Sequence, residues 1–135
     1  MSDKSYIKVS DVMTTTIKTI DATATVADAI QVMCEAGVSS LVAERRDASD
    51  EYGLVVVSDI AKHVIAENRA PERVNVYEIM TKPVLTVPAD MNIRYAVRML
   101  VQFGLSRGLV VDQERRPVGL VTLRDMVLRH AKAAC

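Results

Sequence analysis

The sequence has no net charge: 17 lysines and arginines balance 17 aspartates and glutamates. That balance excludes bulk electrostatic attraction to nucleic acid or to an anionic membrane, which needs a basic excess, and leaves open only a local basic pocket. No uninterrupted apolar run approaches the roughly 18 residues of a membrane span. The opening MSDKSYIKV mixes acidic and basic residues with no apolar signal region. Cysteine is scarce: Cys34 and Cys135 show no metal-ligand spacing, which reads as a reducing, cytoplasmic protein without disulfides. Cys34 follows Ile30 by four residues on a helical stripe and is expected to be a buried apolar residue. Neither GxGxxG nor GxxxxGK[ST] occurs. His63 and His130 fall in no metal-spaced or triad-like arrangement. The acidic loop Asp47–Glu51 matches no cation-loop spacing and reads as a solvated turn. These absences point away from an enzyme.

What is present is one unit written twice. Half of the 135 residues are apolar and a quarter are charged, enough for a core and without a disorder signature. A shift of 67 lays VSDVMTTTIKTIDA over VYEIMTKPVLTVPA and carries Ala29 onto Ala96, Gly37 onto Gly104 and Ser39 onto Ser106. The offset then falls to 66, where Gly53, Leu54, Val55 and Asp59 meet Gly119, Leu120, Val121 and Asp125. The lost residue falls in a loop, RRDASDEY against DQERRP, where length changes cost little.

Both copies carry the same order of elements. IKTI and VLTV are short β-branched runs and read as strands. Apolar residues at helical spacing follow: Val26, Ala29, Ile30 and Met33, then Ile93, Ala96, Val97 and Leu100. Gly37 and Gly104 stand just past those stripes, where a helix end favours glycine. LVAE and GLVVD make the next strand, and GLVVV or GLVT the last. The final helices are expected over 59–68 and from Leu123 to about Ala134. A repeat of about 60 residues buries little surface alone, so two repeats joined by the short linker 71–75 are expected to pair, with sites in the cleft between them.

The pattern DVMT-x-x-I-x-T-I, then helix, G-V-S and G-L-V-x-x-x-D, resembles the cystathionine-β-synthase (CBS) domain, and its duplication resembles a tandem CBS pair over 9–67 and 76–132. The resemblance implies an α+β fold of two β-α-β-β-α repeats related by a pseudo-twofold axis. It also implies a regulatory module whose clefts bind adenosine-containing ligands: AMP, ADP or ATP first, with S-adenosylmethionine and NAD as further candidates. In the family motif G-h-h-[ST]-x-x-D the aspartate takes the ribose hydroxyls and the Ser/Thr hydroxyl meets phosphate. The second copy fits in full with Gly119, Thr122 and Asp125. The first keeps Gly53 and Asp59 but has Val56 for the hydroxyl.

Physical chemistry points the same way. A carboxylate only accepts, so two ribose hydroxyls can donate to it, and the start of a helix favours phosphate. One hydrogen bond to a charged group is worth roughly 1.5–3 kcal/mol, so the two clefts are expected to differ about tenfold or more. T-x-x-D at a helix start is equally a capping box, and in the first copy Ser58 is an alternative cap. Both readings stand at this point.

The resemblance also assigns Thr14–Ile17 and Thr81–Val84 to the base, with adenine on Ile17 or Val84; strand core is the competing reading. At the start of the second strand Ser39 and Ser40 face Ser106 and Arg107 in the alignment. Across the axis Arg107 would reach the first cleft's phosphate, and the serines would face the second. Lys82, in the MTKP turn, is a further phosphate candidate, and Gly108 departs from the family's wall. The expected whole is a nucleotide-sensing homodimer that regulates a partner protein in trans, since no effector domain is read in this chain. Extra apolar residues on its helices (Val32, Cys34, Met99, Val101) favour that dimer. The alternative is an oligomerisation module with unoccupied clefts.

Overall fold

Two three-stranded sheets, each flanked by helices, form from the two copies. In the computed structural model, which describes residues 6–130, strand β1 (Thr19–Ile20) leads to helix α1 (Val26–Ala36), then β2 (Ser40–Ala43), β3 (Gly53–Val56) and a short helix α2 (Val57–Ile60). The second copy gives β4 (Thr86–Pro88), α3 (Ile93–Gln102), β5 (Arg107–Val111), β6 (Pro117–Thr122) and α4 (Leu123–His130). In each sheet the first strand pairs parallel with the second and the second antiparallel with the third, with Leu41 opposite Val55 and Leu109 opposite Leu120. The expected α+β order of elements is therefore the observed one.

Local chemistry sets the boundaries. Thr25 Oγ1 accepts the Asp28 N–H at 3.1 Å and Asp28 accepts the Thr25 N–H at 3.2 Å, a complete capping box at the start of α1. Asn92 caps α3 by accepting the Arg94 N–H at 2.9 Å. Gly37 and Gly104 follow these helices with φ of 68° and 66°, conformations that side chains resist. Val26, Ala29 and Met33 are buried along α1, and Ile93, Ala96 and Leu100 along α3, as their spacing predicts.

Two details differ from the sequence reading. Cys34 is exposed, because the buried face of α1 runs through Val26, Ala29 and Met33 and turns Cys34 outward. The last helix of the first copy starts at Val57 rather than Asp59, which puts Ser58 inside its first turn and not at its cap; it continues as a π-helix over Ala61–Ile65. The expected end of α4 near Ala134 lies outside the described residues.

The chain divides into two compact units, one continuous (18–84) and one made of two segments (6–17 with 85–130). In the continuous unit Val74 and Val76 are buried, Val26 N–H donates to Val74 O at 2.7 Å and Val76 N–H to Ala24 O at 2.8 Å. The stretch read as a linker is thus tied into a core with Leu41, Val55 and Val64. In the two-segment unit Val9 is fully buried, its N–H donating to Met91 O at 2.8 Å, in a core with Leu100, Val121 and Met126. Burying a valine of this kind stabilises by roughly 1.5–3 kcal/mol.

Candidate functional site

The segment preceding each first strand adds one rung to a last strand. Thr14 and Leu120 exchange two backbone hydrogen bonds, at 2.8 and 2.9 Å, in the two-segment unit. Thr81 and Leu54 do the same, at 2.8 and 2.9 Å, in the continuous unit. The motif glycine beside each rung permits this approach. A Cβ on Gly119 would lie 2.6 Å from Met13 Sδ and 2.8 Å from Thr14 O, and one on Gly53 would lie 2.7 Å from Met80 Sδ. Sequence reasoning missed this role; the signal was the repeated M-T pair before each first strand together with the repeated G-L in the last. Gly108 has a related reason, since a Cβ there would meet Val87 at 3.0 Å.

In the two-segment unit this rung ties Thr14 to the strand that ends at Thr122, and Ile17 and Asp125 belong to the same unit; all four are expected to touch ligand. Thr122 closes β6 and Asp125 lies in the first turn of α4. Thr122 Oγ1 accepts the Asp125 N–H at 3.1 Å, which is half of a capping box. The returning half is not made: among the described residues, the Asp125 carboxylate meets only the Arg124 guanidinium at 3.8 Å, an exposed and weak pair. Arg107 lies directly opposite Thr122 in the β5–β6 register. Side chains so paired share one face, about 5 Å apart at Cβ. The Arg107 guanidinium is half-buried and has no partner among the described residues. Thr14 is exposed and Ile17 half-buried.

The continuous unit has the counterpart arrangement with its polar groups already used. Asp59 Oδ2 accepts the Val56 N–H at 3.1 Å, the half of the box that the other unit leaves open. Ser40 lies opposite Val56 where Arg107 lies opposite Thr122, and Ser40 is buried while Ser39 is exposed. Val84 is 9% exposed and belongs to the core. Lys82 Nζ donates to Asp50 Oδ1 at 2.7 Å. Asp50 Oδ2 in turn accepts the Arg46 N–H at 2.9 Å. The Lys82 hydrogen bond foremost, then the Arg46 N–H, hold the Asp50 carboxyl well below the usual carboxylate range. In the same loop Asp47 accepts from the Ser49 N–H and hydroxyl at 2.9 and 2.6 Å, so these two carboxylates close a turn.

The family model for the CBS domain matches residues 9–66 and 76–131, and the chain belongs to that family as a tandem CBS pair. Its fold is similar to that of a hexameric CBS-CP12 protein from bloom-forming cyanobacteria, with 31% identity, a TM-score of 0.89, and coverage of 95% of this chain and 70% of that one. It also matches the CBS domain pair of protein MJ0100, solved with 5′-methylthioadenosine and S-adenosyl-L-methionine, at 24% identity and a TM-score of 0.79, covering 95% of this chain and 98% of that one. A homoserine O-acetyltransferase of Methanohalobium evestigatum is 34% identical over 122 residues, 90% of this chain. The chain spans 61% and 24% of the first two curated relatives it matches. No described helix is long and apolar enough to cross a membrane.

Proposed function

We propose that the protein is a regulatory module that binds an adenosine nucleotide of the AMP, ADP or ATP class, and that the residues of the two-segment unit form the tighter site. The carrying observation is the Asp125 carboxylate, which accepts no hydrogen bond from the described chain while Asp59 is tied to Val56. An acceptor-only group left open in the first turn of a helix suits a pair of ribose hydroxyls. Thr122 keeps its O–H as a donor for phosphate. Arg107, on the neighbouring strand, offers a planar fork of donors to the same phosphate; its register supports a place beside Thr122 rather than a reach to the other copy. Ile17 supplies an apolar surface for the base, and Thr14, whose backbone is paired with Leu120, holds that segment against β6. Ser39, Ser40, Thr81, Lys82, Val84 and Asp59 form a weaker counterpart, with Lys82 occupied by Asp50. Adenosine compounds bound to related folds support the ligand class: S-adenosyl-L-methionine on MJ0100, and ATP on the CBS domain of a bacterial CNNM/CorC Mg2+ transporter.

Regulation rather than catalysis follows in this reading, acting on a partner protein in trans from a cytoplasmic homodimer. Exposed apolar side chains favour self-association: Val101 and Phe103 at the end of α3, Val127 and Leu128 on α4. Thermal unfolding with AMP, ADP, ATP, NAD and S-adenosylmethionine tests the ligand. A compound at 100 times its dissociation constant adds about 2.7 kcal/mol of stability. A flat response to all five at millimolar concentration sinks the nucleotide reading and favours the oligomerisation module.

A further inference from the structure

We propose that Met13 is a peroxide-sensitive modification site whose oxidation opens the rung between Thr14 and Leu120. The chain has seven methionines, and two of them hold equivalent posts. Met13 and Met80 each precede the threonine of a rung and lay their sulfur against a motif glycine, Gly119 and Gly53. Both pack against a core yet are only half-buried, which leaves the thioether within reach of a small oxidant in solution. Met33 and Met126 are buried and shielded. In the reaction a sulfur lone pair of Met13 attacks one oxygen of hydrogen peroxide. The S–O bond forms as the O–O bond breaks, and the hydroxide released takes the remaining proton and leaves as water. Sulfur is oxidised by two electrons to the sulfoxide, and the peroxide is reduced.

The surroundings of Met13 resist that product. A Cβ on Gly119 would lie 2.6 Å from Met13 Sδ and 3.0 Å from its Cγ, so the sulfur has no room on that side for a further atom. The new oxygen is also a polar acceptor in a place packed for an apolar group. The N–H groups of Thr14 and Leu120 are already committed to the rung, at 2.8 and 2.9 Å. The sulfoxide either stays unpaired or takes a donor from the rung, and each outcome weakens it. The two copies differ in what else holds the segment. After Thr81, the Val84 N–H donates to Tyr52 O at 3.1 Å and Lys82 Nζ to Asp50 at 2.7 Å. After Thr14, the Ile17 N–H turns to Thr15 O at 2.9 Å instead. The Met13 rung is therefore the one that opens. The consequence for ligand rests on the nucleotide reading above: opening the rung loosens the segment that carries Ile17 and weakens binding there.

Millimolar hydrogen peroxide on the full chain tests the site, with sulfoxide read by peptide mass spectrometry and the rung by hydrogen exchange at the Thr14 and Leu120 amides. Met13 is expected to convert, and those two amides to exchange about tenfold or more faster, the effect of overpacking a fitted site. Leucine conserves the volume without the sulfur, so M13L should keep slow exchange after the same treatment. M91L/M99L, which removes two other half-buried thioethers, should respond like wild type. Methionine sulfoxide reductases should restore slow exchange. The site is overturned if Met13 stays a thioether while Met91 and Met99 convert, or if its conversion leaves the exchange unchanged. It is equally overturned if peroxide speeds exchange in M13L as much as in wild type. Conversion should also weaken AMP binding. An opened rung with unaltered AMP affinity overturns the coupling to ligand, and a chain that binds no nucleotide before oxidation overturns the functional reading; the exchange result decides the site in either case.

Discussion

Residues 53–59 and 119–125 are the same seven-residue passage folded twice, and each completes a different half of one capping box. In GLVTLRD the threonine accepts the aspartate's N–H and leaves the carboxylate open. In GLVVVSD the aspartate accepts the Val56 N–H, and the valine has no hydroxyl to accept the aspartate's own N–H. The acid is thus tied to its own backbone in one copy and left open in the other. The strand opposite differs in step, Arg107 beside Thr122 against Ser40 beside Val56. Divergence between duplicated sites is thus a change in which groups remain unspent, more than in which groups are present.

The comparison breaks most forcefully at its glycines. Gly119→Val should cost about 3 kcal/mol, at the upper end for overpacking, because backbone Thr14 O stands 2.8 Å from the new Cβ. Gly53→Val should cost less, since Thr81 O stands at 3.3 Å and the nearer obstacle is the flexible end of Met80. Urea unfolding of the two variants reads the difference, and equal costs would contradict the geometry.

Ligand binding comes next. Asp125→Ala should weaken nucleotide binding about tenfold or more, the worth of a charge-assisted hydrogen bond. Asp59→Ala should leave the tighter calorimetric phase unchanged. The reverse ranking would return Thr122 to the role of a helix cap alone. A smaller change sharpens the contrast from the other side: Val56→Thr restores the missing hydroxyl and should stabilise the chain by about 1 kcal/mol through a cap on α2. Thr122→Val should lose a similar amount, and urea midpoints measure both.

The smallest effect concerns the loop of the continuous unit. Asp50 has a lowered folded pKa, so its pairing with Lys82 contributes fully above the unfolded carboxylate value near 3.9 and is lost as pH falls through the folded one. Asp50→Asn should lower the melting temperature slightly at neutral pH, and the gap to wild type should close in strong acid. A gap that widens on acidification would contradict the pairing.

Much of this was legible beforehand, for physical reasons that differ by residue. The helices announced themselves because burial imposes a period on Val26, Ala29 and Met33 that repeats in Ile93, Ala96 and Leu100. Thr122 and Asp125 were legible because strand-to-helix chemistry is local. Cys34 misled because a stripe at i and i+4 has edges, and sequence does not say which edge is wet. The Asp50–Lys82 pair was invisible, as a contact across 32 positions leaves no local pattern. Arg107 was seen, but its partner strand was not, and register rather than composition sets it beside Thr122.

The glycine-bound rung between Thr14 and Leu120 carries a consequence for synthesis. The continuous unit holds every strand and helix it needs by residue 84, so it can close while the remainder of the chain is still being made. The two-segment unit cannot, because its opening segment must wait for β6, about a hundred positions later. Non-local closure of this kind is slow and costs chain entropy before any contact repays it. Until then Val9 and Met13 travel as an exposed apolar tail. A released chain truncated after residue 90 should therefore protect 18–84 from protease and leave 6–17 open to cleavage.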